Sequence, residues 1–132
     1  MRTSILVGLL VVGLIGCGDD SPTPIEEVPA VYASAFCEQA DACLGPLFDA
    51  LFPGDCDVEL RKQLEEGTIP LFEAGIASGT IVYHGEEVDA CRDELRRAGC
   101  AIFDNGALPA CERVFEGTVA VGGACSRAVD CV

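Results

Sequence analysis

The sequence predicts a mostly α-helical protein: a small disulfide-stapled bundle of four or five short helices, following a signal peptide and a flexible linker. Three observations predict it. Apolar residues recur at intervals of three and four through most of the chain beyond Ala30. Nine cysteines fall within 132 residues, a density that fits a disulfide framework in an oxidising compartment. A short apolar run near the N-terminus ends at Leu14-Ile15-Gly16-Cys17, where an acidic, proline-containing stretch begins. The organisation read from these features has four parts. Residues 1–16 form a lipoprotein signal peptide, and 17–29 a lipidated cysteine with its linker. Residues 30–117 form the helical domain. Residues 118–132 form a glycine-rich link that opens a second cysteine-rich module.

Met1-Arg2-Thr3-Ser4 is a short positive start, and Ile5 to Ile15 is an eleven-residue apolar core. A membrane-spanning helix needs about 20 apolar residues, so this run reads as a secretory signal. No Ala-x-Ala-like cleavage site follows it. Two apolar residues, a small residue and a cysteine stand there instead, as in a bacterial lipobox. Cys17 is therefore the expected lipidation site. A diacylglycerol on its thiol and a further acyl chain on the new amino terminus would tether the protein durably, because stable anchoring takes more than one chain. The stretch from Gly18 to Pro29 then reads as a solvated spacer, extended by prolines and kept open by acids, with a reach of roughly 35–40 Å.

From Ala30 the pattern is helical. Tyr32, Phe36, Ala40 and Cys43 mark one apolar face of a first helix, with Pro29 in its first turn. Gly45-Pro46 ends it or bends it sharply. Leu47 to Phe52 supplies one more turn, and Pro53-Gly54 is a turn. Asp55 is the N-cap of a helix over Cys56 to Glu66, with Leu60 and Leu64 on one face. Gly67 breaks that helix, and Thr68 caps a new start with Pro70 in its first turn. Leu71, Phe72, Gly75 and Ile76 give the next periodic stretch. Gly79 to Tyr83 is β-branched and extended, with no evident partner strand. The clearest helix runs from Glu86 to Ala98, with Val88, Cys91, Leu95 and Ala98 on one stripe. Its acids lie at the N-terminal end, Arg96 and Arg97 at the other, and Gly99 closes it. Asn105-Gly106 is a turn. Leu108 to Glu116 is a last short helix, ended by Gly117.

With Cys17 lipidated, eight cysteines remain: Cys37, Cys43, Cys56, Cys91, Cys100, Cys111, Cys125 and Cys131. Cys37 and Cys43 lie about 9 Å apart along one helix, too far to bond to each other. The sequence-based expectation is a Cys43–Cys56 bridge across the first turn, with Cys37, Cys91, Cys100 and Cys111 stapling the later helices. No close C-x₂-C pair is present, and His84 is the sole histidine, so no metal site is expected. Asp55, Asp57 and Glu59 lack the EF-hand spacing and read as a helix cap and solvated face. Cys125 to Cys131 reads as the start of a second module. The alternative is a terminal Cys125–Cys131 loop, or staples back to the helices.

Several of these features resemble the cysteine-rich lipoproteins of myxobacteria and related bacteria. They are the lipobox at Cys17, Phe36-Cys37 and Cys43 in a first helix, and the G-x-x-x-Y link from Gly79 to Tyr83. Cys91 and Cys100 around a charged helix, Cys111, and the run from Phe115-Glu116-Gly117 to Gly123-Ala124-Cys125 complete the resemblance. It implies an envelope location and a helical cysteine-rich architecture. It carries over no catalytic or binding residue.

Net charge is −14, and Arg2 is the only charged residue before Cys17. So acidic a body repels phosphate backbones, which argues against nucleic acid as a partner. A Ser-His-Asp arrangement would have to use His84, whose place in Tyr83-His84-Gly85 reads as an ordinary turn. No catalytic residue and no cofactor is therefore expected. The expected function is an exported lipoprotein, lipid-anchored to the cell envelope and to the outer membrane in a Gram-negative source. Its body would be a non-catalytic interaction or structural module for a protein or envelope partner. An acidic cation or envelope binder and a small hydrolase are the alternatives.

Overall fold

The computed structural model describes residues 21–104, 107–125 and 127–131. The expected signal segment, residues 1–16, and Cys17 lie outside the described residues. The fold is mostly α, as the periodicity predicts. A 3-10 turn (Ile25–Glu27) leads into α1 (Val28–Leu44), followed by α2 (Pro46–Leu51) and α3 (Cys56–Gln63). A π turn (Leu64–Thr68) joins α3 to α4 (Ile69–Ser78), and β1 (Ile81–Tyr83) comes next. A second 3-10 turn (Gly85–Glu87) opens α5 (Val88–Ala98), and a third spans Gly99–Phe103. Then come α6 (Pro109–Glu112), β2 (Phe115–Gly117) and a last 3-10 turn (Ala128–Asp130).

α1 is the central element and packs against both α3 and α5. Beyond Pro29 in its first turn, its buried residues are small: Ala33, Ala35, Cys37 and Ala40. Small side chains let neighbouring helices approach closely on two sides. That displaces Tyr32 and Phe36, expected at the centre of the face, to half-buried positions at its edges. The main core joins Ala35 to Val88, Cys91 and Leu95 of α5 and to Val114. The α5 residues fall at i, i+3 and i+7, the stripe read from the sequence. Full burial of Leu95 stabilises the fold by about 2 kcal/mol.

Four disulfides staple these elements. Cys37–Cys56 joins α1 to α3, and Cys43–Cys100 joins the end of α1 to the turn after α5. Cys91–Cys111 joins α5 to α6, and Cys125–Cys131 closes a C-terminal loop. The expected Cys43–Cys56 bridge is thus corrected. The six residues of α2 advance the chain about 9 Å, the same axial distance that separates Cys43 from Cys37. The start of α3 is thereby carried back beside Cys37. Gly45 (φ 50°) makes the sharp bend that allows this.

Three further expectations change. Gly67 does not break the helix. Ile69 N–H donates to Leu64 O, five residues back, so the chain passes from α3 to α4 through a π turn. Pro70 has no N–H and would clash with the carbonyl four residues before it, and the wider π turn accommodates it. The expected helix over Leu108 to Glu116 stops at Glu112. Phe115–Gly117 is instead the missing partner of β1, antiparallel, with Ile81 opposite Gly117 and Tyr83 opposite Phe115. The stretch through Pro29, expected as a solvated spacer, makes contacts with the body from Thr23 onward. Thr23 N–H donates to Gly85 O at 3.1 Å, Tyr83 Oη donates to Thr23 O at 2.5 Å, and Pro29 is buried. The packed body therefore includes residues from Thr23 onward.

The C-terminal segment, expected as the start of a second module, docks on the same body. Thr118 N–H donates to Thr80 O, and Val119 pairs with Cys131 in a parallel bridge. Asp130 is 2% exposed and accepts bonds from Arg127 N, Arg127 Nη2 and Thr80 Oγ1 at 2.9–3.0 Å. Arg127 also donates to Leu71 O at 2.6 Å, tying this clasp to α4. A Cβ on Gly117 would lie 2.6 Å from the Cys131 carbonyl, so this close approach requires glycine.

Candidate functional site

Among the described residues, an apolar cavity of about 260 Å³ opens to the surface. Three helical faces build it. α1 contributes Val28, Val31 and Tyr32, and α5 contributes Val88, Cys91, Arg92 and Leu95. The π turn and α4 contribute Leu64, Thr68, Ile69 and Phe72. Cys111, Val114 and Phe115 close the far side. α4 packs chiefly against β1 and its own π turn and stands off from α1 and α5 across this space. Phe72 reaches across and stacks on Phe115, with ring centroids 4.0 Å apart and planes within 4°.

The lining is nearly all carbon. Its charged group, Arg92, is held by Asp89 at 2.6 Å and Asp93 at 3.0 Å. Its hydroxyls belong to Thr68 and Tyr32, and burial raises the Tyr32 phenol above its ordinary value.

The residues singled out in the sequence lie elsewhere. His84 stands at the end of β1, with Nδ1 3.2 Å from Glu86 Oε1 and Nε2 3.3 Å from Glu116 Oε2. The Nε2 contact lacks hydrogen-bond geometry and leaves that buried nitrogen unsatisfied. The backbone N–H of Glu86 and then the His84 ring lower the Glu86 carboxyl below its ordinary value. Asp55 accepts from Val58 N–H at 3.2 Å, as the N-cap of α3, and Asp57 and Glu59 are exposed in its first turn. Asp55 and Asp57 also border an open acidic cleft with Glu38 and Asp41. No group of three metal-ligating side chains comes together among the described residues. No helix among them is long and apolar enough to cross a membrane. The eight cysteines form the four bridges described above, and Cys17, the expected lipidation site, lies outside the described residues.

The cavity was not read from the sequence. Its α5 and α1 walls were visible as apolar stripes. Its third wall depends on the π turn, which no local pattern announces. No family model, no curated protein and no solved structure matches this chain.

Proposed function

We propose that this protein is an exported envelope lipoprotein, anchored through Cys17, whose folded body is a non-catalytic binding module. The observation that carries the reading is a lipobox, Leu14 to Cys17, followed closely by a body stapled by four disulfides. Disulfides persist in the compartments that a lipoprotein signal reaches. The resemblance to cysteine-rich myxobacterial lipoproteins points the same way. Because Thr23 already belongs to the body, it stands six Cα-to-Cα steps from the anchor, a reach of about 20 Å at full extension. The module would be held close to the bilayer surface. The cavity favours binding over turnover: its lining is aliphatic and aromatic, and its one cation is engaged by two aspartates.

The test is the non-reduced intact mass of the protein isolated from its own cell envelope. The expected mass is that of the chain from Cys17 onward, plus two or three acyl chains, less the eight hydrogens of four disulfides. A mass without lipid, or with free thiols, overturns the reading.

A further inference from the structure

The geometry points to a ligand for the cavity between α1, α4 and α5: a single hydrocarbon chain of about ten carbons with an uncharged hydroxyl or ester head. The inference deepens the binding-module reading of the body and rests on it, but it does not require the anchor.

Volume sets the chain length. An apolar protein cavity of about 150 Å³ stays dry and admits the six carbons of benzene. By the same measure 260 Å³ admits about ten carbons. The lining sets the tail's chemistry, since only carbon faces most of the space.

Charge and hydrogen bonding set the head. A carboxylate or phosphate head would need a free cation, and Arg92 is already engaged by Asp89 and Asp93. It would also meet a chain that from Cys17 onward holds 22 acidic and seven basic residues. The neutral polar side chains on the lining are Thr68 and Tyr32, and neither hydroxyl has a hydrogen-bond partner among the described residues. A neutral head can give and accept bonds there without burying a charge. The ligand we assign is a free amphiphile rather than a segment of this chain, because the segment from Thr23 is already bonded to Gly85 and Tyr83.

The experiment is photolabelling in intact envelopes with decanol bearing a diazirine on its tail, followed by peptide mapping. Label is expected on the segments 28–32 and 64–72. An excess of decanol should suppress it, and decanoate should not. Val28→Phe and Val31→Phe should each fill the space and reduce labelling about tenfold. Retention of all four disulfides in the non-reduced mass would show that each variant still folds. Label spread evenly over the chain, label unchanged in both variants, or equal competition by decanoate overturns the assignment. Label admitted only by the Cys17→Ser chain also overturns it, because the chain's own acyl group would then occupy the cavity. Failure of the anchor leaves this labelling unaffected, so the two readings fail separately.

Discussion

Removing the Cys43–Cys100 bridge is the sharpest test of how this fold is held together. The bridge spans 57 residues, and Cys125–Cys131 spans six. In the chain-entropy account a cross-link restricts the unfolded state by an amount that grows with the logarithm of its loop. The two bridges then contribute about 4 and about 2 kcal/mol. This pair suits the comparison because its sulfurs are the less buried ones. Cys37, Cys56 and Cys91 are buried, so cutting their bridges would also cost packing. Both double variants, Cys43→Ala with Cys100→Ala and Cys125→Ala with Cys131→Ala, should be unfolded in urea and by heat, followed by circular dichroism. At about 4 °C per kcal/mol for a chain of this size, the first should melt about 8 °C below the second. Equal melting temperatures, or the reverse order, would refute the loop-length reasoning. They would place the weight instead on the docking of the C-terminal clasp.

Four other outcomes follow from the same structure. Gly117→Ala should unseat the C-terminal loop, because the added Cβ meets the Cys131 and Asp130 backbone within 3 Å. A loss of 1–3 kcal/mol, roughly the usual cost of overpacking, and faster proteolysis beyond Thr118 are the readouts. Arg127 and then Thr80 hold the Asp130 carboxyl below its ordinary value, so its contribution is complete above that value and is lost as pH falls through the lowered one. The melting temperature of Asp130→Asn should therefore start lower and fall less steeply with acid than that of the parent chain. Burial first, then Glu26, Glu86 and Glu27, push the Tyr83 phenol up to about 12. The unfolded chain ionises at the ordinary value near 10, so stability should fall as pH rises from 10 towards 12, and Tyr83→Phe should lessen that fall. Leu95→Ala, at a position 1% exposed, should cost about 2–5 kcal/mol by urea unfolding.

The elements that were legible in the sequence are those whose neighbours along the chain decide them. α5 carries its own apolar stripe, its charges ordered along the axis and a closing glycine, and it forms as read. The α1–α2 corner is written in Gly45-Pro46, and the start of α3 in Asp55. What was misread depends on distant partners. Phe115–Gly117 has helix-compatible residues, and it becomes a strand because Ile81–Tyr83 has nowhere else to pair. Cys56 chooses Cys37 over the nearer Cys43 because of where α2 delivers it. Thr23 reads as linker by composition, yet Gly85 and Tyr83 bind it from sixty or more positions away.

The cavity shows the same division within a single site. In an unbroken α-helix, Leu64, Thr68 and Phe72 follow steps of four and share a face, while Ile69 turns away from it. The π turn holds one extra residue, a rotation of about 100° for everything beyond it. Leu64, Thr68, Ile69 and Phe72 consequently all line the space opposite α1 and α5. The glycine and proline that signal a break in the sequence are what permit the wider turn. A local reading sees the breaker but not the register it creates, because the register is settled by what α4 packs against. Phe72 stacked on Phe115 and Arg127 bound to Leu71 O hold α4 in place. With α4 held there, the gap beneath it cannot close by simple collapse, so the space between α1, α4 and α5 is a consequence of topology. The residues that line it set only what can enter.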